Sequence, residues 1–179
     1  PSLDTLIGYV RAALARAPAA PSSAASAARE LAGSPPVLAG LHGEASRLLG
    51  AEPALLARIR ALRGYPIVVN AWASWCGPCR GEFGLFATAS VAFGRRVAFL
   101  GANTSDSAAD ARSFLAQHPL SYPSYQASST SALSSLAVVE GLPTTIFINA
   151  AGKVVFVHTG QYDSQGTLDA DIARYATGR

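Results

Sequence analysis

Residues 68–82 read VVNAWASWCGPCRGE and contain the only two cysteines of the 179-residue chain, Cys76 and Cys79. The stretch YPIVVNAW that leads into them is short, apolar and rich in β-branched residues, which predicts a buried strand. From residue 78 to 93 the apolar spacing becomes helical, and a proline in the first turn of a helix sacrifices no hydrogen bond. The cysteines are therefore expected where a strand ends and a helix begins.

The composition narrows the classes of protein to consider. Half of the residues are hydrophobic and 14% are charged, which excludes a largely disordered chain. No apolar run reaches the ~18 residues that indicate a membrane span. The formal charge of +3 comes from 14 basic and 11 acidic residues. The arginines do not form the dense basic patch typical of nucleic-acid binding, so we expect no nucleic-acid partner.

The N-terminal part is predicted to be a helical extension with a linker, over residues 1–64. Apolar residues at spacings of three and four predict an amphipathic helix over 1–17. The Ala-rich stretch 17–28 fits either a tether to a membrane anchor or a helix packed on the domain. Because the chain starts at Pro1 and lacks methionine, we expect any targeting segment to lie upstream of it. Further helices are predicted over 37–49 and 53–62.

Residues 65–179 are predicted to form one α/β domain. Their order of elements, βαβα(α)ββα, predicts a mixed sheet covered by helices on both faces. A helix is expected over 107–117, with Asp106 or Ser107 as its N-cap, followed by a loop over 118–126. The segments TTIFIN and KVVFVH, joined through Ala151 and Gly152, predict a β-hairpin.

Two alternatives for the cysteine pair fit the sequence poorly. A zinc site needs three or four protein ligands, and the three histidines of the chain show no ligand spacing to the pair, so no metal and no cofactor are expected. Haem attachment would require histidine where Arg80 stands. A structural staple across two residues would remove little entropy from the unfolded chain and would stabilise it only weakly.

Redox chemistry explains more of the pattern. At a helix N-terminus, unpaired backbone N–H groups and the helix dipole stabilise a thiolate at Cys76 and lower its pKa. Cys79 lies one turn further on the same face, in the place of a resolving thiol. Gly77 permits a close approach, and Pro78 presets the helical backbone. Trp75 is expected beside the reactive sulfur, where it shields the sulfur or contacts a partner.

These residues carry a family resemblance. VVNAWASWCGPCRGE resembles the active-site segment of thioredoxin-fold proteins, most closely that of the extracytoplasmic TlpA/ResA-like group, which includes the cytochrome c maturation thioredoxins. GLPTTIFINAAGKVVFVHTG, residues 141–160, resembles the second signature of that group. The two motifs extend the resemblance over about residues 65–175. It implies a thioredoxin fold and a thiol–disulfide oxidoreductase.

The resemblance also implies roles for particular residues. Cys76 corresponds to the attacking nucleophile and Cys79 to the resolving cysteine. Pro143 corresponds to a cis-proline that faces the cysteines and lines the substrate groove. The backbone of Leu142 is expected to pair with an incoming peptide in the manner of an added strand.

Asn70 and Gly84 depart from patterns known among these proteins. Asn70 stands where cytoplasmic thioredoxins have a buried aspartate that deprotonates the second cysteine, which favours the extracytoplasmic group. Glu82, three residues after Cys79, is expected to relay a proton in its place if it is buried; the alternative is a solvated helix glutamate. Gly84 stands where the group usually has a proline.

The sequence thus favours an exported reductant of protein disulfides, with apocytochrome c as a candidate client and a membrane protein as the electron donor. The Gly-Pro dipeptide between the cysteines is that of thioredoxin, which lies near the reducing end of the scale. A disulfide oxidase and a non-enzymatic partner-binding module are the alternatives. A thiol peroxidase is disfavoured, because Ala73 occupies the position of the hydroxyl residue that would orient a peroxide.

Overall fold

The computed structural model describes residues 24–178, and a six-stranded sheet runs through their centre in the order β1-β4-β3-β2-β5-β6. The strands β1, β4, β3 and β2 run parallel to one another. Strand β5 is antiparallel to β2, and β6 is antiparallel to β5. The predicted mixed α/β sheet is thereby confirmed. The strands are β1, Leu48–Ala51; β2, Ile67–Trp72; β3, Ala98–Thr104; β4, Ser124–Ala127; β5, Thr144–Ile148; and β6, Val154–Thr159.

Six α-helices accompany the sheet in the described residues, and none of them is long and apolar enough to cross a membrane. A 3-10 turn, Thr130–Leu133, precedes β5, and a π-helical turn, Ile172–Ala176, follows the last helix. The helices are α1, Ala24–Glu30; α2, Pro36–Gly43; α3, Glu52–Ala61; α4, Gly77–Phe93; α5, Ala108–Gln117; and α6, Gln165–Asp171.

Strand β2 is buried along its whole length because helices cover both of its faces. Val68 and Trp72 point into one core, which α4, α5 and α6 line. Val69 and Ala71 point into the other, which α2 and α3 line. Successive side chains of a strand alternate between the two faces, so a centrally placed strand reads as a continuous apolar run.

The edge of the sheet differs from the sequence expectation. The helix predicted over 37–49 ends at Gly43, and residues 48–51 are strand β1, so the helical assignment of Leu48 and Leu49 is wrong. The chain reverses at Ser46, which has a φ of 57° and whose N–H donates to the carbonyl of Tyr122. Leucines at this spacing fit a helix equally well, and only pairing with a distant strand selects the extended form.

Strand β4 lies in the stretch predicted to be a loop, so that prediction is also wrong for residues 124–126. Prolines and tyrosines dominate the segment, but Ser124 pairs with both Leu48 and Gly101. The hydrogen bonds that make this segment a strand come from its parallel neighbours, β1 and β3, and the local sequence does not predict them. The boundary between the N-terminal extension and the α/β domain at residue 64 stays a prediction. Strand β1 precedes that residue and belongs to the sheet.

Most of the remaining elements are confirmed. The helix predicted over 53–62 is α3, and the hairpin is β5–β6 with Gly152 at a φ of 82° in its turn. Of the two N-cap candidates for α5, Ser107 is the cap: its side chain accepts from the N–H of Asp110. Residues 24–28 of the Ala-rich stretch are part of α1. The helix predicted over 1–17 lies outside the described residues.

A close contact under the cysteine helix gives a first testable prediction. A Cβ placed on Gly101 would overlap Ser124 Oγ and lie 3.0 Å from Trp72 Nε1, and Ser124 Oγ accepts the indole hydrogen bond of Trp72 at 3.3 Å. Overpacking of this kind costs about 1–3 kcal/mol. We expect Gly101→Ala to lower the free energy of unfolding by that amount in urea denaturation.

The matched control is Gly40→Ala, at an exposed position in α2 where a Cβ meets no atom of the described residues within 4 Å. Alanine in a helix is more stable than glycine by about 0.5–1 kcal/mol, so this variant should gain stability. Equal effects of the two substitutions would show that the Gly101 contact does not constrain the core.

Candidate active site

The two cysteines lie at the junction of β2 and α4, as the sequence predicts. Cys76 is the N-cap residue of α4, and its Sγ accepts a hydrogen bond from the N–H of Cys79 at 3.2 Å. A disulfide joins the two residues, whose Cα atoms are 5.3 Å apart. The N–H groups of a first helical turn have no partner within the helix, so a sulfur at the N-cap satisfies one of them.

The two sulfurs differ in access to solvent. Cys79 is fully buried, whereas Cys76 retains 4% of its surface and is bordered by the exposed residues Gly77 and Pro78. Trp75 is 64% exposed and precedes the accessible cysteine. An incoming group can therefore reach the pair only at Cys76.

The helix terminus also sets the electrostatics of the pair. The positive end of the α4 dipole and the N–H of Cys79 both point at Cys76 Sγ. They stabilise a negative charge on that sulfur and so lower the pKa of its thiol, whereas apolar surroundings would raise that pKa. The same arrangement favours Cys76 as the nucleophile when the pair is reduced. When the pair is oxidised, access to solvent makes Cys76 the point of attack.

Glu82 belongs to the same helix as Cys79 and is fully buried, so the alternative of a solvated glutamate is wrong. Its Oε1 accepts a hydrogen bond from Asn70 Nδ2 at 2.8 Å, and its Oε2 accepts one from the N–H of Tyr162 at 2.9 Å. Desolvation raises the pKa of Glu82 to about 7, although both hydrogen bonds oppose the shift. A buried acid with a pKa near neutrality can exchange protons with a thiol.

The absence of a side chain at Gly81 makes room for the loop after β6, which contacts Glu82 through Tyr162. A Cβ on Gly81 would lie 2.6 Å from Nε2 of Gln161, the chain neighbour of Tyr162. The ring of Tyr162 stacks on His158 with centroids 4.0 Å apart, and its hydroxyl donates to Asp171 Oδ2 at 2.7 Å. The ring and the hydroxyl of Tyr162 thus both anchor the loop after β6, and this anchoring positions the N–H of Tyr162 towards Glu82.

The second signature lies where the resemblance predicts it. The Leu142–Pro143 peptide bond is cis, as expected, and Pro143 is buried at the start of β5. Leu142 is half-buried and packs against the core cluster that contains both cysteines. Strand β5 adjoins β2, so the hairpin signature and the cysteine motif meet at the same end of the sheet.

The sequence did not reveal the contacts that hold the turn before Cys76. The sequence predicts Asp106 only as an N-cap candidate, but its carboxylate accepts hydrogen bonds from the backbone and side chain of Ser74 at 2.6 and 2.9 Å. Trp75 Nε1 donates to the carbonyl of Ser105 at 2.8 Å. The only local signal is a polar run, residues 103–107, which begins in the last two residues of β3 and continues past its end.

Among residues 24–178, no group of three or more histidine, cysteine or acidic side chains is arranged to hold a metal ion.

Comparisons with known proteins place this geometry in a family. Residues 27–173 match the family described as Redoxin. Thiol-disulfide oxidoreductase ResA of Bacillus subtilis is 32% identical over 100 residues, which cover 55% of each chain. Thiol:disulfide interchange protein HelX of Rhodobacter capsulatus is 34% identical over 128 residues, which cover 68% of each chain. The chain thus spans little more than half the length of ResA and about two thirds of HelX.

The fold is shared with solved structures. A thioredoxin family thiol:disulfide interchange protein from Chlorobium tepidum superimposes with a TM-score of 0.59 at 24% identity, over 65% of this chain and 83% of the other. This likeness confirms the thioredoxin fold. With the family match over most of its length and the resemblance to ResA and HelX, the chain belongs to the Redoxin family and, within it, to the TlpA/ResA-like group.

Proposed function

We propose that this protein is a thiol–disulfide oxidoreductase that works through a Cys76–Cys79 dithiol/disulfide cycle. The observation that carries the proposal is the asymmetry of the pair: one sulfur capped by a helix N-terminus and accessible, the other fully buried one turn on. A structural disulfide gains nothing from this arrangement, whereas a nucleophile and a resolving thiol each need the place they occupy.

The chemistry follows from that arrangement. The Cys76 thiolate attacks one sulfur of a substrate disulfide, a mixed disulfide forms, and the other substrate sulfur leaves as a thiolate that takes up a proton. The Cys79 thiolate then attacks Cys76 Sγ and expels the second substrate sulfur. Two electrons pass to the substrate, and the protein is left with the Cys76–Cys79 disulfide found in the structure.

Glu82 acts as the base for the second step. Cys79 must lose its proton in an environment without solvent access, and Glu82 is buried three residues further along the same helix face. Asn70 cannot accept a proton itself, but its amide donates to Glu82 and stabilises the carboxylate. Asn70 therefore serves as a positioning residue for the acid that replaces the missing aspartate.

The substrate docks beside Cys76. Pro143 closes one side of the sulfur, and the backbone of Leu142 pairs with an extended peptide segment. Trp75 offers an exposed aromatic surface on the side of the cysteine turn. An extended, unfolded substrate fits this arrangement, because the 4% exposure of Cys76 leaves little room for a disulfide inside a folded core.

The direction of electron flow is towards the substrate, and the site of action is outside the cytoplasm. The Gly77-Pro78 dipeptide of thioredoxin supports a reductant, and Asn70 supports the extracytoplasmic group. Outside the cytoplasm such a reductant needs an electron donor, and a membrane protein is the partner that the resemblance implies. The client class is protein disulfides, with apocytochrome c as the first candidate.

Removal of the resolving thiol gives the first test. Cys79→Ser should accumulate mixed disulfides with protein substrates, because Cys76 still attacks but nothing expels the bound sulfur. The measurement is non-reducing electrophoresis of the variant after incubation with a disulfide-bonded, unfolded client, with mass spectrometry to locate the link at Cys76.

The matched control is Cys76→Ser, which keeps one thiol of the pair but places it out of reach. It should trap nothing, and the double variant should behave in the same way. Equal trapping by both single variants would mean that the proposed nucleophile is wrong, and trapping by neither would favour a binding module.

The direction of the cycle is tested by a redox titration in dithiothreitol and glutathione buffers, read by tryptophan fluorescence. A reductant should have a potential near or below that of thioredoxin, about −270 mV. A value near −120 mV, typical of a strong oxidase, would reverse the direction and make the protein a disulfide donor.

Glu82→Gln should slow the resolution step by about 10²-fold at pH 7, the lower end of what a positioned base contributes. Stopped-flow fluorescence of mixed-disulfide decay measures this rate. The wild-type rate should rise as the pH increases through about 7, where Glu82 ionises. The variant should lack that step in the profile.

Stability gives an independent measurement of the same group. Because folding raises the pKa of Glu82 from 4.5 to about 7, the folded state retains a proton that the unfolded state loses between these values. The free energy of unfolding therefore falls by about 3 kcal/mol from pH 4.5 to 7 through this group, and Glu82→Gln removes the fall. Glu140→Gln, at an exposed loop position, is the control and should leave it intact.

A further inference from the structure

Ser74 makes three hydrogen bonds that hold the turn leading through Trp75 to Cys76. Its N–H and its hydroxyl both donate to the carboxylate of Asp106, at 2.6 and 2.9 Å. Its carbonyl accepts a hydrogen bond from Arg80 Nη1 at 3.2 Å. The guanidinium of Arg80 lies 5.0 Å from the ring centroid of Phe114, which orients it. The N–H, the hydroxyl and the carbonyl of Ser74 are therefore all hydrogen-bonded, the first two to the Asp106 carboxylate and the third to the Arg80 guanidinium.

The Asp106 carboxylate is surrounded by donors. Oδ2 accepts from Ser74 N–H and from Asn103 Nδ2 at 2.8 Å, and Oδ1 accepts from the Ser74 hydroxyl and from the N–H of Ser107 at 2.9 Å. The Asp106 carbonyl accepts from Gln126 Nε2 at 3.0 Å, which ties the loop to β4. Only a group that accepts at both oxygens satisfies four donors, so an asparagine would turn an NH₂ towards two of them.

The same loop fixes the indole of Trp75. Trp75 Nε1 donates to the carbonyl of Ser105 at 2.8 Å, and Ser105 adopts a left-handed conformation with a φ of 52°. The ring itself is 64% exposed, so packing does not determine its orientation. Its two anchors are the backbone of Ser74, held by Asp106, and the carbonyl of Ser105, the residue before Asp106.

We propose that Asp106 is a positioning residue that holds the Trp75 ring as a preorganised docking surface for a substrate peptide beside Cys76; this rests on the proposed oxidoreductase function. A large aromatic ring that is already fixed loses little freedom when a partner binds, and such rings dominate the energy of many interfaces. Asp106 does not touch the reacting sulfurs. Its effect is therefore on the recognition of peptides and not on the intrinsic reactivity of Cys76.

The experiment compares two disulfides in their reaction with the reduced protein: a cysteine decapeptide linked to glutathione, with apolar residues beside the cysteine, and hydroxyethyl disulfide. Asp106→Asn should lower the second-order rate for the peptide at least fivefold and leave that for hydroxyethyl disulfide within twofold. Time-resolved fluorescence anisotropy should show a larger fast component for the exposed Trp75.

Asp110→Asn is the matched control. Asp110 lies in the first turn of α5 and accepts from the Ser107 hydroxyl at 2.7 Å, so the variant makes the same change of charge four residues further along the chain. Its ratio of peptide to small-disulfide rates should equal that of the wild type. Ser74→Ala, which removes one of the four donors, should shift the ratio in the same direction as Asp106→Asn but less, and it covers the case in which Asp106→Asn does not fold.

The outcomes separate the two proposals. Equal loss of both rates, or no change in their ratio, would overturn the positioning role of Asp106 while the oxidoreductase function stands. A wild-type protein that reacts with neither disulfide would overturn the oxidoreductase function. The anisotropy measurement then still decides whether Asp106 holds Trp75, because unchanged ring motion in both variants contradicts it.

Discussion

The Glu82 carboxylate accepts one hydrogen bond from strand β2, through Asn70, and one from the loop after β6, through Tyr162. It belongs to α4, so a single buried group joins the central strand, the cysteine helix and the far edge of the hairpin. A buried carboxylate carries a large desolvation penalty, which these two donors offset only in part. The remaining penalty is what brings the pKa of Glu82 to about 7. The feature that connects the fold thus also equips the site for proton exchange.

Small residues make room for side chains around this contact. Gly81 leaves space for Gln161, and Gly101 leaves space for Ser124 beneath Trp72. Trp72 packs edge-on against Phe83 of α4, with centroids 4.9 Å apart. The helix is consequently held at its N-terminal end by both polar and aromatic contacts, and the cap at Cys76 stays aligned with the end of β2.

Elements that are specified by local pattern could be predicted from the sequence. The β-branched run of β2, the proline at the start of α4 and the hairpin residues each signal their own conformation, and two motifs identified the site and the cis bond at Pro143. Strands β1 and β4 could not be predicted, because each is short and takes its hydrogen bonds from distant parts of the chain. The spacing of Glu82 predicted its face but not its burial. Asp106 was missed as a contact of Ser74, because 32 residues of sequence separate the two.

The difference in burial between the two sulfurs has a consequence for how the oxidised protein meets small thiols. A monothiol that attacks Cys76 releases Cys79 as a thiolate that remains enclosed and adjacent. The Cys79 thiolate re-forms the Cys76–Cys79 disulfide and expels the bound monothiol. This intramolecular attack is fast because the effective concentration of the thiolate is high. A reagent that brings a second thiol completes the reduction faster than a second monothiol molecule does, because its attack on the mixed disulfide is also intramolecular. The enclosure of Cys79 thus makes reduction of the pair by dithiols faster than reduction by monothiols.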